Sequence, residues 1–155
     1  MISVFVVDDH KELREEIIKM LSRQRDVMML GEASNGLDAV TSISNLNPDI
    51  VFLDIKMPDI NGIEVIKRLK KNGFGGKIII LTVYDKDEYV RRSVRAGAMG
   101  YLLKEKVASD LVKALETVRA GLPFFSGSFS KALIEECVAW ISNVKPFNNL
   151  MSSSL

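Results

Sequence analysis

Residues 50–54 read Ile50-Val51-Phe52-Leu53-Asp54. Four apolar residues run straight into a carboxylate. Three other stretches repeat the plan. Ile2–Val7 runs into Asp8 and Asp9, Ile78–Leu81 into Thr82, and Tyr101–Leu103 into Lys104. Short apolar runs with helix-period segments between them read as buried parallel strands joined by helices. In such a sheet the strands point one way, so their carboxyl ends share an edge. Three carboxylates, one hydroxyl and one ammonium would converge there. Ligands of open α/β sheets bind at that edge, where the strand order reverses.

Working outward, strand and helix alternate five times. Leu13–Arg23 reads as a helix with Leu13, Ile17, Met20 and Leu21 on one face. Val27–Ala33 is a strand, and Leu37–Leu46 is a helix that Pro48 keeps from continuing. Ile63–Lys71 is a helix stopped by the Gly-rich residues 73–76. Asp87–Ala96 is a helix ended by Gly97, and Ser109–Arg119 is one ended by Gly121. The alternation predicts an α/β fold with a doubly wound parallel sheet. After Gly121 the pattern breaks. Leu122–Phe129 reads as a turn-rich connector, and Lys131–Ile141 as an extra helix with Leu133, Ile134, Cys137, Val138 and Ile141 apolar. That helix either docks on its own domain or is a linker that pairs with a second subunit or leads into a missing output domain. The tail from Asn143 to Leu155 has no periodicity and reads as frayed or disordered.

The 155 residues suffice for one domain with a substantial core. Net charge is +1, so no global bias towards nucleic acid, membrane or acidic substrates exists. The single cysteine, Cys137, cannot form an internal disulfide, which fits a reducing cytoplasm. One His and one Cys argue against structural zinc. No apolar stretch is long enough to span a bilayer, and the first strand leaves no room for a signal peptide.

The strand ends carry the chemistry. Asp8 and Asp9 repel each other and call for a cation or solvent. With Asp54 they make an all-oxygen cluster, which suits Mg²⁺. Pro58 and Gly62 fix a tight loop beyond Asp54, leaving its carboxylate exposed at the sheet edge. An aspartate so placed can attack a phosphoryl group and form an acyl phosphate. That transfer needs mainly positioning and charge neutralisation. Lys104 offers a mobile point charge and Thr82 one hydroxyl donor, both expected at a solvent-accessible edge. The stretch 31–36 lacks the spacing of a dinucleotide fingerprint. Arg91, Arg92 and Arg95 read as a solvated face with an interaction role left open.

This constellation resembles the receiver domain of bacterial two-component response regulators, from Ile2 to about Gly121. Val6-Val7-Asp8-Asp9-His10 is similar to the acidic-pair motif, and residues 54–62 (Asp-Ile-Lys-Met-Pro-Asp-Ile-Asn-Gly) to the phospho-acceptor loop. Thr82, Tyr101 and Lys104 match the switch Thr/Ser, the switch aromatic and the invariant lysine. Residues 95–105 and 118–121 resemble the NarL/FixJ branch. The resemblance implies a flavodoxin-like (βα)5 fold, five parallel strands in the order 2-1-3-4-5, with the C-terminal helix as an addition. It implies Asp54 as phospho-acceptor. It also implies Mg²⁺ (or Mn²⁺) held by Asp9, Asp54 and the backbone carbonyl of Lys56, with Asp8 acting through water. His10 takes a structural role at the mouth of the first helix. Val83 departs from the small residue usual after the switch Thr, and its methyl groups would narrow access.

The expected function is a signalling switch rather than an enzyme. A sensor histidine kinase would donate phosphate to Asp54, Thr82 would move towards it, and Tyr101 would turn inward. Residues 1–121 would be the receiver and 122–155 a linker, helix and tail. The chain would be the regulatory part of a LuxR-type transcriptional regulator, reaching DNA only through an output domain absent here, or else a stand-alone regulator; homodimerisation is an option. An Asp-nucleophile phosphatase is the other class, but its usual second aspartate would fall at position 56, which is Lys.

Overall fold

The computed structural model describes residues 1–153. In chain order the elements are β1 (Ile2–Val7), α1 (Lys11–Ser22), β2 (Val27–Ala33), α2 (Gly36–Leu46), β3 (Ile50–Asp54) and α3 (Gly62–Lys71). There follow β4 (Lys77–Thr82), α4 (Asp87–Ala96), β5 (Gly100–Leu103), a 3₁₀ turn (Lys104–Lys106), α5 (Val107–Arg119), β6 (Phe124–Phe125) and α6 (Lys131–Ser153). The strands form one parallel sheet in the order β2-β1-β3-β4-β5-β6.

The apolar runs alternate between two cores because both faces of the sheet are covered. Val7, Val51, Leu53, Ile78, Ile80 and Tyr101 face α2, α3 and α4. Val4, Val6, Phe52, Ile79, Leu81 and Leu102 face Ile17 and Leu21 of α1 and Leu111 and Leu115 of α5. Asn35 and Asn61 start α2 and α3 by accepting from the Asp38 and Glu64 backbone N–H groups, each at 2.9 Å.

Register places the site. Val7 pairs with Leu53, so Asp8 and Asp54, each the next residue, leave the sheet side by side. Asp54 pairs with Leu81, one residue before Thr82, and Thr82 pairs with Leu103, one before Lys104. The order reverses between β1 and β3, which is the switch point where such sheets bind ligands.

Three features depart from the sequence reading. The sheet has six strands, not five, because the connector contributes β6. Phe124 N donates to Met99 O at 3.2 Å and Ser126 N to Tyr101 O at 3.0 Å. Two residues carry no readable periodicity, so only this pairing with β5 defines the strand. The helix α5 starts at Val107, directly after the 3₁₀ turn, rather than at Ser109. The backbone of α6 is helical to Ser153, where the sequence suggested an irregular tail from Asn143. Apolar periodicity marks a docked face, not the whole helical backbone. Ser154 and Leu155 lie outside the described residues.

The docked face of α6 is clear. Leu133 and Cys137 are buried in the same cluster as Val90 and Val94 of α4. Arg91 Nε donates to Glu136 Oε2 at 2.8 Å, and the Arg95 guanidinium lies 5.9 Å from the Trp140 ring centroid. Two residues of the basic stripe on α4 thus hold this helix. Of the fates open to α6, its apolar stripe takes docking on its own domain.

Candidate functional site at the carboxyl edge of the sheet

The loop after β3 is built around Gly62. Its N–H donates to the Ile55 carbonyl at 2.7 Å, and a Cβ there would stand 2.2 Å from the Asp54 carbonyl oxygen. Only glycine lets the loop fold back this closely on the acceptor residue. The other side of the loop is tied down by Asp59. Its two carboxylate oxygens accept from Gly36 N and Leu37 N, each at 2.8 Å, at the start of α2. Burial pushes the Asp59 carboxyl up, but these N–H donors outweigh it and hold the group below its ordinary value.

Closure of the loops changes one expectation. Asp54 is not exposed at the edge; it is only 3% exposed, and Asp8 is 0% exposed. Thr82 is likewise buried, and the Lys104 side chain keeps only 10% of its surface. The strand ends are roofed by their own loops, and Lys104 lies across them. Its ammonium donates to Asp54 Oδ2 at 3.0 Å and stands 3.0 Å from Asp8 Oδ2. Asp8 Oδ1 accepts from His10 N at 2.8 Å, and Arg14 Nη1 donates to the Asp8 carbonyl at 2.7 Å. Arg14 Nε also donates to Glu32 Oε1 at 2.6 Å, which braces the end of β1 against β2.

Electrostatics follow from this crowding. Burial raises the Asp54 carboxyl to about 6; Lys104 pulls it down, and Asp8 and Asp9 push it up again. Burial would lower the Lys104 ammonium, but Asp54 and Asp8 more than offset that and leave it raised. One cation thus faces the carboxylates of Asp8 and Asp54, with the Asp9 carboxylate close by. Oxygens of those residues and a ring nitrogen of His10 come within 4.8 Å of one another, the group among the described residues that could hold a metal ion. The donor set fits a hard divalent cation: its members are mainly carboxylates, and buried Asp8 Oδ2 lacks any bond of hydrogen-bonding geometry. The Lys56 side chain is exposed. The imidazole of His10 is 3.3 Å from Asp9 Oδ1 at the mouth of α1.

Thr82 Oγ1 accepts from Tyr84 N at 3.1 Å, and the Tyr101 hydroxyl donates to the Tyr84 carbonyl at 2.7 Å. The Tyr101 ring is 0% exposed, so the inward turn expected on activation is already made here. The cause is its cover: Phe129 packs edge-on to it at 5.5 Å between centroids. Val83 is 67% exposed beside Thr82.

Sequence reasoning did not single out Asp59, Arg14 or Ser126. Buried Ser126 accepts the Leu103 N–H through Oγ at 2.9 Å and so satisfies the end of β5. For Asp59 the acceptor loop itself was a signal; Ser126 acts on β5, far away in sequence, and Arg14 on Glu32 of the neighbouring strand.

The family described as response regulator receiver domain matches residues 4–116. The nitrate/nitrite response regulator protein NarL of Escherichia coli (strain K12) is 34% identical over 131 residues, covering 84% of this chain and 61% of that protein. Response regulator GacA of Pseudomonas aeruginosa is 33% identical over 150 residues, 97% of this chain and 70% of that protein. A solved LuxR-family two-component response regulator from Aurantimonas sp. SI85-9A1 has a TM-score of 0.81 at 27% identity, covering 88% of this chain and 97% of that one. The chain spans less than two thirds of the length of NarL. No helix among the described residues is long and apolar enough to cross a membrane.

Proposed function

The chain belongs to the response regulator receiver domain family, in its NarL-like branch, and on that premise we propose that Asp54 is its phospho-acceptor. The observation that carries this reading is the shared cation: Asp54 and Asp8 leave neighbouring strands and meet the same Lys104 ammonium. A carboxylate oxygen of Asp54 attacks the phosphorus of a phosphohistidine on a sensor histidine kinase. A P–O bond to Asp54 forms as the P–N bond breaks, and the imidazole leaves. Asp9, Asp54 and the Lys56 carbonyl, with Asp8 through water, would hold Mg²⁺ or Mn²⁺, which would supply charge neutralisation. Lys104 remains as the protein's own cation for the phosphoryl oxygens. Thr82, whose Oγ1 accepts from Tyr84, keeps its hydroxyl hydrogen to donate towards them.

In this reading the domain catalyses only its own phosphorylation and dephosphorylation. Residues 1–121 form the acceptor unit, and residues 122–155 form a linker, an extra helix and a tail. The similarity to NarL and to LuxR-family regulators supports a cytoplasmic transcriptional regulator whose DNA contacts lie in a separate domain. A homodimer would use a surface other than the α6 face that carries Leu133 and Cys137, which is already buried against α4.

Incubation with acetyl phosphate and Mg²⁺ tests the assignment. Intact mass should rise by one phosphoryl group in the wild type and not in Asp54→Asn. Equal labelling of both forms would overturn it.

A further inference from the structure

We infer that Phe129, outside the acceptor unit, is a positioning residue for the Asp54 site, acting through Tyr101, Tyr84 and Thr82. The inference rests on the acceptor reading above.

The segment between β4 and α4, residues 83–86, belongs to no helix or strand. Its position depends on side-chain ties. Tyr84 stacks on Tyr89 at 4.4 Å, gives its N–H to Thr82 and receives the Tyr101 hydroxyl at its carbonyl. The Tyr84 backbone therefore joins Thr82 to Tyr101 through two hydrogen bonds. Tyr101 can hold that carbonyl only while its ring stays inward, and Phe129 packs edge-on against the ring.

Phe129 is itself fixed from both sides. Upstream, Ser126 is bonded twice to β5, through its N–H to Tyr101 O and through its Oγ to Leu103 N. Downstream, Ser130 Oγ accepts from Leu133 N at 3.2 Å and starts α6. The Arg91–Glu136 bond then seats α6 on α4. A packed, hydrogen-bonded path thus runs from the α4–α6 contact through Phe129 to the hydroxyl that faces the acceptor edge.

The sign follows from preorganisation. With Phe129 in place, the Tyr84 backbone and the Thr82 rotamer are set before a phosphoryl group arrives. Without it, Tyr101 can leave, and the loop must be ordered at the moment of binding, which weakens that binding. By linkage, a bound phosphoryl group tightens the seating of α6.

The test uses the whole chain with beryllofluoride and Mg²⁺ as a phosphoryl stand-in. Phe129→Ala should lower beryllofluoride affinity about five-fold, the scale of one lost aromatic edge contact. Its Mg²⁺ affinity without fluoride should match the wild type, because no proposed metal ligand lies on the path. Phe129→Tyr, which keeps the ring, should restore the affinity. Glu136→Lys places a cation against Arg91, unseats α6 from the far side and should also weaken beryllofluoride binding. Glu136→Lys keeps the question answerable if Phe129→Ala does not fold. Affinities in Phe129→Ala and Glu136→Lys equal to the wild type would overturn the inference while leaving Asp54 as acceptor. Tighter binding in either would reverse its sign and overturn it too. No binding by the wild type would remove the acceptor reading and this inference together.

Discussion

The ammonium of Lys104 lies 3.0 Å from a carboxylate oxygen of Asp54, and the same ammonium lies 3.0 Å from Asp8. One cation is shared by two buried carboxylates on adjacent strands. The arrangement is under-neutralised by design of its register, and an incoming cation or proton relieves it.

Lys104→Met should destabilise the fold. Stranding one partner of a buried ion pair costs about 3–5 kcal/mol, less where the stranded group can take up a proton. Since Asp54 titrates at about 6, urea unfolding should show a large loss at pH 7.5 that shrinks at pH 5. An equal loss at both pH values would contradict the shared-cation account.

Asp54 itself should make the metal-free protein less stable as pH rises. Its carboxyl titrates at an ordinary 3.8 when unfolded and at about 6 when folded. Between those values the folded chain holds a proton that the unfolded chain has released. Stability therefore falls as pH rises through that window. At 1.36 kcal/mol per pKa unit the loss is about 3 kcal/mol at most. Asp54→Asn should be more stable than wild type at pH 7.5 and equal to it at pH 4. Urea melts of both proteins at the two pH values decide this.

Mg²⁺ should stabilise the wild type by relieving the same repulsion. A ligand present at a hundred times its dissociation constant adds about 2.7 kcal/mol. Thermal melts with and without Mg²⁺ should differ for the wild type and coincide for Asp9→Ala combined with Asp54→Asn. A surviving shift would place the metal elsewhere.

Asp59→Ala should loosen the acceptor loop from α2. Losing a carboxylate that caps a helix start costs about 1 kcal/mol. Because the folded Asp59 carboxyl is held below 3.8, its contribution is present above that pH and fades as pH falls through the folded value. Melts of Asp59→Ala and wild type should differ at pH 7 and converge in acid.

The sheet and the identity of its edge residues were legible because β3, β1, β4 and β5 each end in a polar side chain, and parallel strands align such ends. Burial of Asp54 was not legible. It depends on Gly62 turning back on the Asp54 carbonyl and on Lys104 lying across two strands, neither of which is a periodic signal. The inward Tyr101 was hidden for a similar reason. Its cover comes from Phe129, twenty-eight residues on, in a connector whose only strand is Phe124–Phe125. The α6 stripe showed that a partner surface existed but not which, until Arg91 and Val94 of α4 were found against it.

In this account Asp54 forms the acyl phosphate. Borohydride reduces an aspartyl phosphate to homoserine, which marks the residue permanently. After treatment with acetyl phosphate and Mg²⁺, then borohydride, peptide mass spectrometry should find homoserine at position 54 and at no other aspartate. Homoserine at Asp8, Asp9 or Asp59, or none in a chain that has taken up phosphate, would contradict the account.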